Sequence, residues 1–131
     1  ERYINENSLE DTVKLMGFQS NPYPYIKAAD FFVCSSRAEG LSTVVTEAMI
    51  LGKPVITTDC AGMRELLDEG RYGIITDNSS DSLYSALRDV FLDIDSIRTF
   101  GNRAAEGTRA FDIRENINKI ETILEMGQYV Q

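Results

Sequence analysis

Between Phe31 and Asp59 the chain reads as an apolar run, a loop, a helix and a second apolar run: "FFVCSS", "RAEGLS", "TVVTEAMILG" and, after Lys53, "PVITTD". Neither apolar run alternates with polar residues, as a strand with one wet face would. Each has the pattern of a strand covered on both faces. Gly52 stops the intervening helix, and Pro54 follows directly on the stop. A strand that departs through a helix and returns as a strand can pair in parallel with its predecessor. That unit builds a parallel sheet flanked by helices.

The flanking segments extend the pattern. "ERYINENSLEDT" has helical spacing through Ile4 and then turn residues. "VKLMGF" (Val13–Phe18) reads as a short strand ending at Gly17, and "PYPYIKAAD" as a turn and a short helix. "GMRELLDEG" reads as a helix stopped at Gly70, and "GIIT" as a further strand. Leu83, Leu87, Val90 and Phe91 share one helical face, with Ser79 or Ser80 available as N-cap. Ile97, Phe100 and Ala104 fit a second helix; Ile113, Ile117, Ile120 and Leu124 fit a third. The expected fold is α/β, a Rossmann-like parallel sheet with Phe31–Cys34 placed centrally.

Composition narrows the function classes. The 131 residues suit one domain, with 43% hydrophobic and 26% charged residues. A net charge of −8 argues against a nucleic-acid partner, which needs clustered Lys and Arg. The chain has no His, which removes His-based zinc sites and His-dependent triads. Cys34 and Cys60 show no metal spacing and read as inert thiols in a reducing cytoplasm.

In doubly wound sheets ligands sit beyond the carboxyl ends of the strands. The loop "SSRAEGLS" lies at that end and holds the most chemistry. Glu39 stands beside Gly40; Glu47 lies about one turn into the next helix, among Val44, Val45, Ala48, Met49, Ile50 and Leu51. A carboxylate in such apolar company needs hydrogen-bond donors. A ribose diol supplies two at suitable spacing. Gly40 permits close backbone approach, and Leu41, Ser42 and Thr43 offer the free N–H groups of a first helical turn, an anion site suited to a diphosphate. Glu39, beyond it, could accept from sugar hydroxyls. The two glutamates are separated by on the order of 10–15 Å, about the span of a nucleotide sugar. The competing reading makes Glu39 a solvated loop residue and Glu47 a helix-start carboxylate paired with Arg or Lys.

From Val13 to about Asp93 the chain resembles the C-terminal half of the retaining glycosyltransferases of group 1, or family 4. The matching words are "VKLMGF", "YIKAADFFVCSSRAEGLSTVVTEAMILGKPVITTDCAGMREL" and "GIIT", with the glutamates inside an "EG…EAM…G.PV" frame. The resemblance implies the second Rossmann-like domain of the GT-B architecture, which binds the sugar-nucleotide donor. It assigns Glu39 to the transferred sugar as the catalytic carboxylate. Gly40, Leu41, Ser42 and Thr43 fall to the sugar and diphosphate, and Glu47 to the ribose. Gly17 and Phe18 take a weaker nucleobase role. Leu41 and Ser42 stand where the family more often has Phe and Gly, a change that bears on donor preference. Gly62 and Glu65 match a recurrent Gly and Glu, equally suited to bracing their loop. Tyr23 and Tyr25 could stack on a base but fit the edge of a core better. Arg37 could pair with phosphate or Glu39, or be solvated.

Residues 1–131 are expected to be part of a donor domain. The two further strands, glycine-rich loop and basic pair that open the domain in that family are not found before Val13, nor is the acceptor domain. The expected partners are a nucleotide-sugar donor and, through the other domain, a glycan or lipid-linked acceptor. No metal or cofactor is expected. The expected location is cytoplasmic, with a peripheral seat at the inner membrane face. Two other readings stand: a sugar-nucleotide epimerase of the same architecture, and a non-catalytic Rossmann-like interaction module. Epimerases look less similar in the glutamate frame. Receiver-type modules carry an early acidic cluster that this chain lacks.

Overall fold

A computed structural model describes residues 1–40 and 42–108. The elements run α1 (Arg2–Glu6), α2 (Tyr23–Ala28), β1 (Phe32–Cys34), α3 (Thr43–Ile50), β2 (Val55–Thr58), α4 (Met63–Leu66), β3 (Gly73–Thr76), α5 (Ser80–Leu92) and α6 (Ile94–Gly107), with a 3-10 turn at Asp68–Gly70 before β3. The three strands form one parallel sheet in the order β1-β2-β3. Phe32 pairs with Val55, and Val55 with Gly73.

Apolar side chains leave the sheet on both faces, so helices cover both. On one face Cys34 and Val55 pack with Val45, Ala48 and Met49 of α3, Met63 and Leu66 of α4, and Ala104 of α6. On the other, Ile56 packs with Val90 of α5 and Ile97 of α6. α6 therefore reaches both layers. Phe31 meets Phe91 edge-on at 5.7 Å between centroids, beside the second layer. Burying each large aliphatic side chain here contributes about 1.5–3 kcal/mol.

The local stops follow the chemistry of their residues. Gly52 ends α3 at φ +69, where the left-handed conformation lets its N–H reach the Met49 carbonyl and the Lys53 N–H reach that of Ala48. Ser79 caps α5, its hydroxyl accepting from the Ser82 N–H at 3.2 Å.

Two expectations are corrected. Among the described residues β2 is central and β1 lies at an edge, with Val33 37% exposed. An apolar run reports coverage above and below the sheet, whereas in-plane position depends on backbone pairing that side chains do not encode. Val13–Phe18 is not a strand. Gly17 turns the chain at φ +59, the Gln19 amide donates to the Met16 carbonyl at 2.6 Å, and Phe18 is 94% exposed. A strand needs a neighbour to hydrogen-bond, and no described strand pairs with this segment. The helix expected at Ile113–Leu124 lies outside the described residues. No helix among the described residues is long and apolar enough to cross a membrane.

Candidate functional site

The carboxyl ends of β1, β2 and β3 open onto Ser35, Thr58 and Asn78. These line a pocket of about 530 Å³ with Arg37, Ser79, Ser80 and Leu83. Its walls are tied together. The Asn78 amide donates to the Arg37 carbonyl at 2.9 Å, and the Thr58 hydroxyl donates to the Ser36 carbonyl at 2.5 Å. Residues from all three strand ends thus fix the loop that carries Glu39. Arg37 is exposed and makes no ion pair among the described residues.

Glu39 is half-buried. Its Oε1 accepts from the Ser36 hydroxyl at 2.6 Å, and that hydroxyl stands 3.6 Å from the Cys34 thiol, which donates to it. The loop therefore folds back on the end of β1 and holds the carboxylate by a short side-chain bond. Ser36 carries no weight in the sequence reading. A hydroxyl three residues before a carboxylate in a tight loop is the signal that would have found it.

Gly40 is exposed, with open space where a Cβ would stand. Leu41 lies outside the described residues. Ser42 is buried and is the N-cap position of α3, yet its side chain makes no capping hydrogen bond. Thr43 is exposed at its head. An uncapped helix start leaves backbone N–H groups available to an anion.

Glu47, one turn on, is also half-buried. The helix around it is less enclosed than its sequence suggests: Val45, Ala48 and Met49 face the core, while Ile50 is 61% exposed. Among the described residues the Glu47 carboxylate makes no ion pair; its Oε1 accepts from the Tyr23 hydroxyl at 3.1 Å. That bond and the carboxylate's charge hold the Tyr23 phenol above the usual phenol range. Tyr23, Glu47, Ile50 and Leu51 line a second pocket of about 200 Å³. Tyr23 reaches 24 positions along the chain to the second glutamate.

Gly17 and Phe18 are exposed and line neither pocket. Gly62 is the N-cap of α4 at φ +81, and Glu65 is exposed in that helix. Beside them Arg64 braces the loop after β2, donating twice to Asp59 Oδ2 at 2.9 and 2.6 Å. Cys60 is half-buried and packs against the first core layer. Burial, then the neighbouring Cys34 and Glu39, push its thiol up. Among the described residues no three carboxylate or thiol groups gather as a metal-ligand set.

Comparison with known proteins places these features in a family. A family model described as "Glycosyl transferases group 1" matches residues 1–93. The 4-alpha-N-acetylgalactosaminyltransferase of Campylobacter jejuni that acts on N-acetylgalactosamine-N,N'-diacetylbacillosaminyl-diphospho-undecaprenol is 32% identical over 111 residues, 83% of this chain and 30% of that protein. An uncharacterised glycosyltransferase of Methanocaldococcus jannaschii is 42% identical over 87 residues, 56% of this chain and 21% of that one. Among solved structures, HepE of Anabaena in complex with UDP superposes at TM-score 0.82, with 26% identity over 95% of this chain and 35% of its own. HepE has also been solved with UDP-glucose, at TM-score 0.77. The chain thus spans about a third of these relatives or less.

Proposed function

Because this chain belongs to the group 1 glycosyl transferases, we propose that it forms the donor side of an enzyme moving a sugar from a nucleotide sugar to a glycan or lipid-linked acceptor. The observation that carries this reading is the pair of half-buried glutamates flanking an uncapped helix start, beyond the carboxyl ends of a parallel sheet. In this reading the first turn of α3 receives the diphosphate through Gly40, Leu41, Ser42 and Thr43. Glu47 accepts from the ribose diol. Glu39 accepts from hydroxyls of the transferred sugar. Gly17 and Phe18 border the nucleobase.

The chemistry follows from charge. As the bond to the diphosphate breaks, positive charge grows on the sugar and negative charge on the leaving phosphate. The helix start stabilises the phosphate, and a fixed carboxylate beside the sugar stabilises the developing cation. Both act through charges already in place. Transfer with retention of configuration belongs to the same proposal and rests on the resemblance. A uridine donor is the first choice because HepE, 26% identical, is in complex with UDP and with UDP-glucose. A lipid-linked acceptor is supported by the Campylobacter relative, named for a diphospho-undecaprenol substrate. Acceptor binding and any seat at the inner membrane face belong to the whole enzyme.

Saturation-transfer NMR on the full-length protein with UDP-, GDP- and ADP-sugars tests the reading. Ribose and diphosphate-proximal protons of one donor should show the strongest transfer. No transfer to any of the three would favour an interaction module instead.

A further inference from the structure

We infer that Tyr23 is a positioning residue of the donor site, holding the Glu47 carboxylate in place for the ribose diol. The inference rests on the proposed role of Glu47. A glutamate on a helix has three rotatable side-chain bonds, and a half-buried one must be restrained to bind two hydroxyls at once. Among the described residues no cation pairs with Glu47. Its one described side-chain partner is the Tyr23 hydroxyl, 3.1 Å from Oε1.

The tyrosine is itself fixed. It is the first residue of α2, set by Pro22 before it and Pro24 after it, and its N–H donates to Asn21 Oδ1 at 3.2 Å. A ring carried on a fixed backbone therefore reaches across to a second helix. A phenol suits the task because it donates a proton and adds no positive charge. The carboxylate keeps its full charge, its second oxygen and its remaining lone pairs for ligand hydroxyls. An ordinary phenol already keeps its proton across the neutral range, and the bond to Glu47 pushes the Tyr23 pKa further up. Ile50 and Leu51 complete the slot and leave the carboxylate as its hydrogen-bonding group.

The test uses the full-length enzyme and calorimetry with UDP and 2′,3′-dideoxy-UDP, or with the GDP or ADP pair if one of those binds in its place. Tyr23→Phe keeps the ring and removes only the hydroxyl. It should weaken UDP roughly three- to ten-fold, the scale of one screened hydrogen bond to a charged group. It should leave the dideoxy analogue unchanged, raise KM for the donor and leave kcat alone. In a Glu47→Gln background it should add nothing. Equal weakening of both analogues would mean that the ring serves the base or the fold, and would overturn the inference. So would no weakening at all. Glu47→Gln itself should abolish the preference for UDP over the dideoxy analogue. If that preference survived, the assignment of Glu47 to the ribose would fail, and this inference with it.

Discussion

A Cβ at Gly101 would stand 2.7 Å from the carbonyl oxygen of Gly52 and 3.2 Å from Pro54 Cδ. α6 thus lies directly on the turn that ends α3 and starts β2. No side chain fits between them. Gly101→Ala gains about 1 kcal/mol of helix propensity but must push this backbone apart, at about 1–3 kcal/mol. The expected outcome is a lower urea midpoint with an unchanged slope. A midpoint equal to or above that of the parent would show that the contact gives way freely.

The two glutamates should fail differently in the full-length enzyme. In the proposed arrangement Glu47 touches a part of the donor remote from the broken bond, so in Glu47→Gln KM should rise with a smaller change in kcat. Glu39→Gln should lower kcat by roughly 10²-fold, a cost of about 2.7 kcal/mol, because the charge that it faces grows only in the transition state. Affinity for the bare nucleoside diphosphate should hardly change. Steady-state kinetics beside calorimetry decides this. Lost nucleotide binding in Glu39→Gln with intact binding in Glu47→Gln would reverse the roles.

Ser36 should act through Glu39. Ser36→Ala removes the donor 2.6 Å from Oε1 and leaves the carboxylate free to turn. A kcat reduction of roughly three- to ten-fold is expected, smaller than that of Glu39→Gln, as for one hydrogen bond to a charged group. In the Glu39→Gln background Ser36→Ala should cost little more. Fully additive losses would mean that Ser36 works independently.

Cys60 should titrate late. Its thiol is pushed above the ordinary thiol range, first by burial and then by Cys34 and Glu39. The folded chain therefore keeps the proton longer than the unfolded chain does. That contribution to stability is present below the pKa of the unfolded thiol and is lost as the pH climbs through the raised value. Alkylation of Cys60 by iodoacetamide, followed by peptide mass spectrometry, should show a midpoint above that of the same cysteine in the denatured chain. Glu39→Gln should move it downward. A midpoint no higher than in the denatured chain would mean that the thiol is neither buried nor near that charge.

The alternation of apolar run and helix was enough for the sequence alone to determine the layers. Side chains that leave a strand on both faces require helices on both faces, and Val55 and Ile56 do pack into opposite layers. The stops were legible for the same local reason: Gly52 takes a left-handed turn, and the Ser79 hydroxyl caps the helix after it. So was the spacing of Glu39 and Glu47 around a helix start, because loop, glycine and helix are contiguous in the chain. What only the tertiary structure decided is what happens between distant segments. The place of β1 at the edge depends on backbone pairing, which no side chain records. Val13–Phe18 has strand-like residues but no strand beside it among the described residues, and propensity without a partner does not make a ladder. The bond from Tyr23 to Glu47 joins positions 24 apart. Neither residue's neighbours foretell it, because it exists only where packing brings α2 against α3.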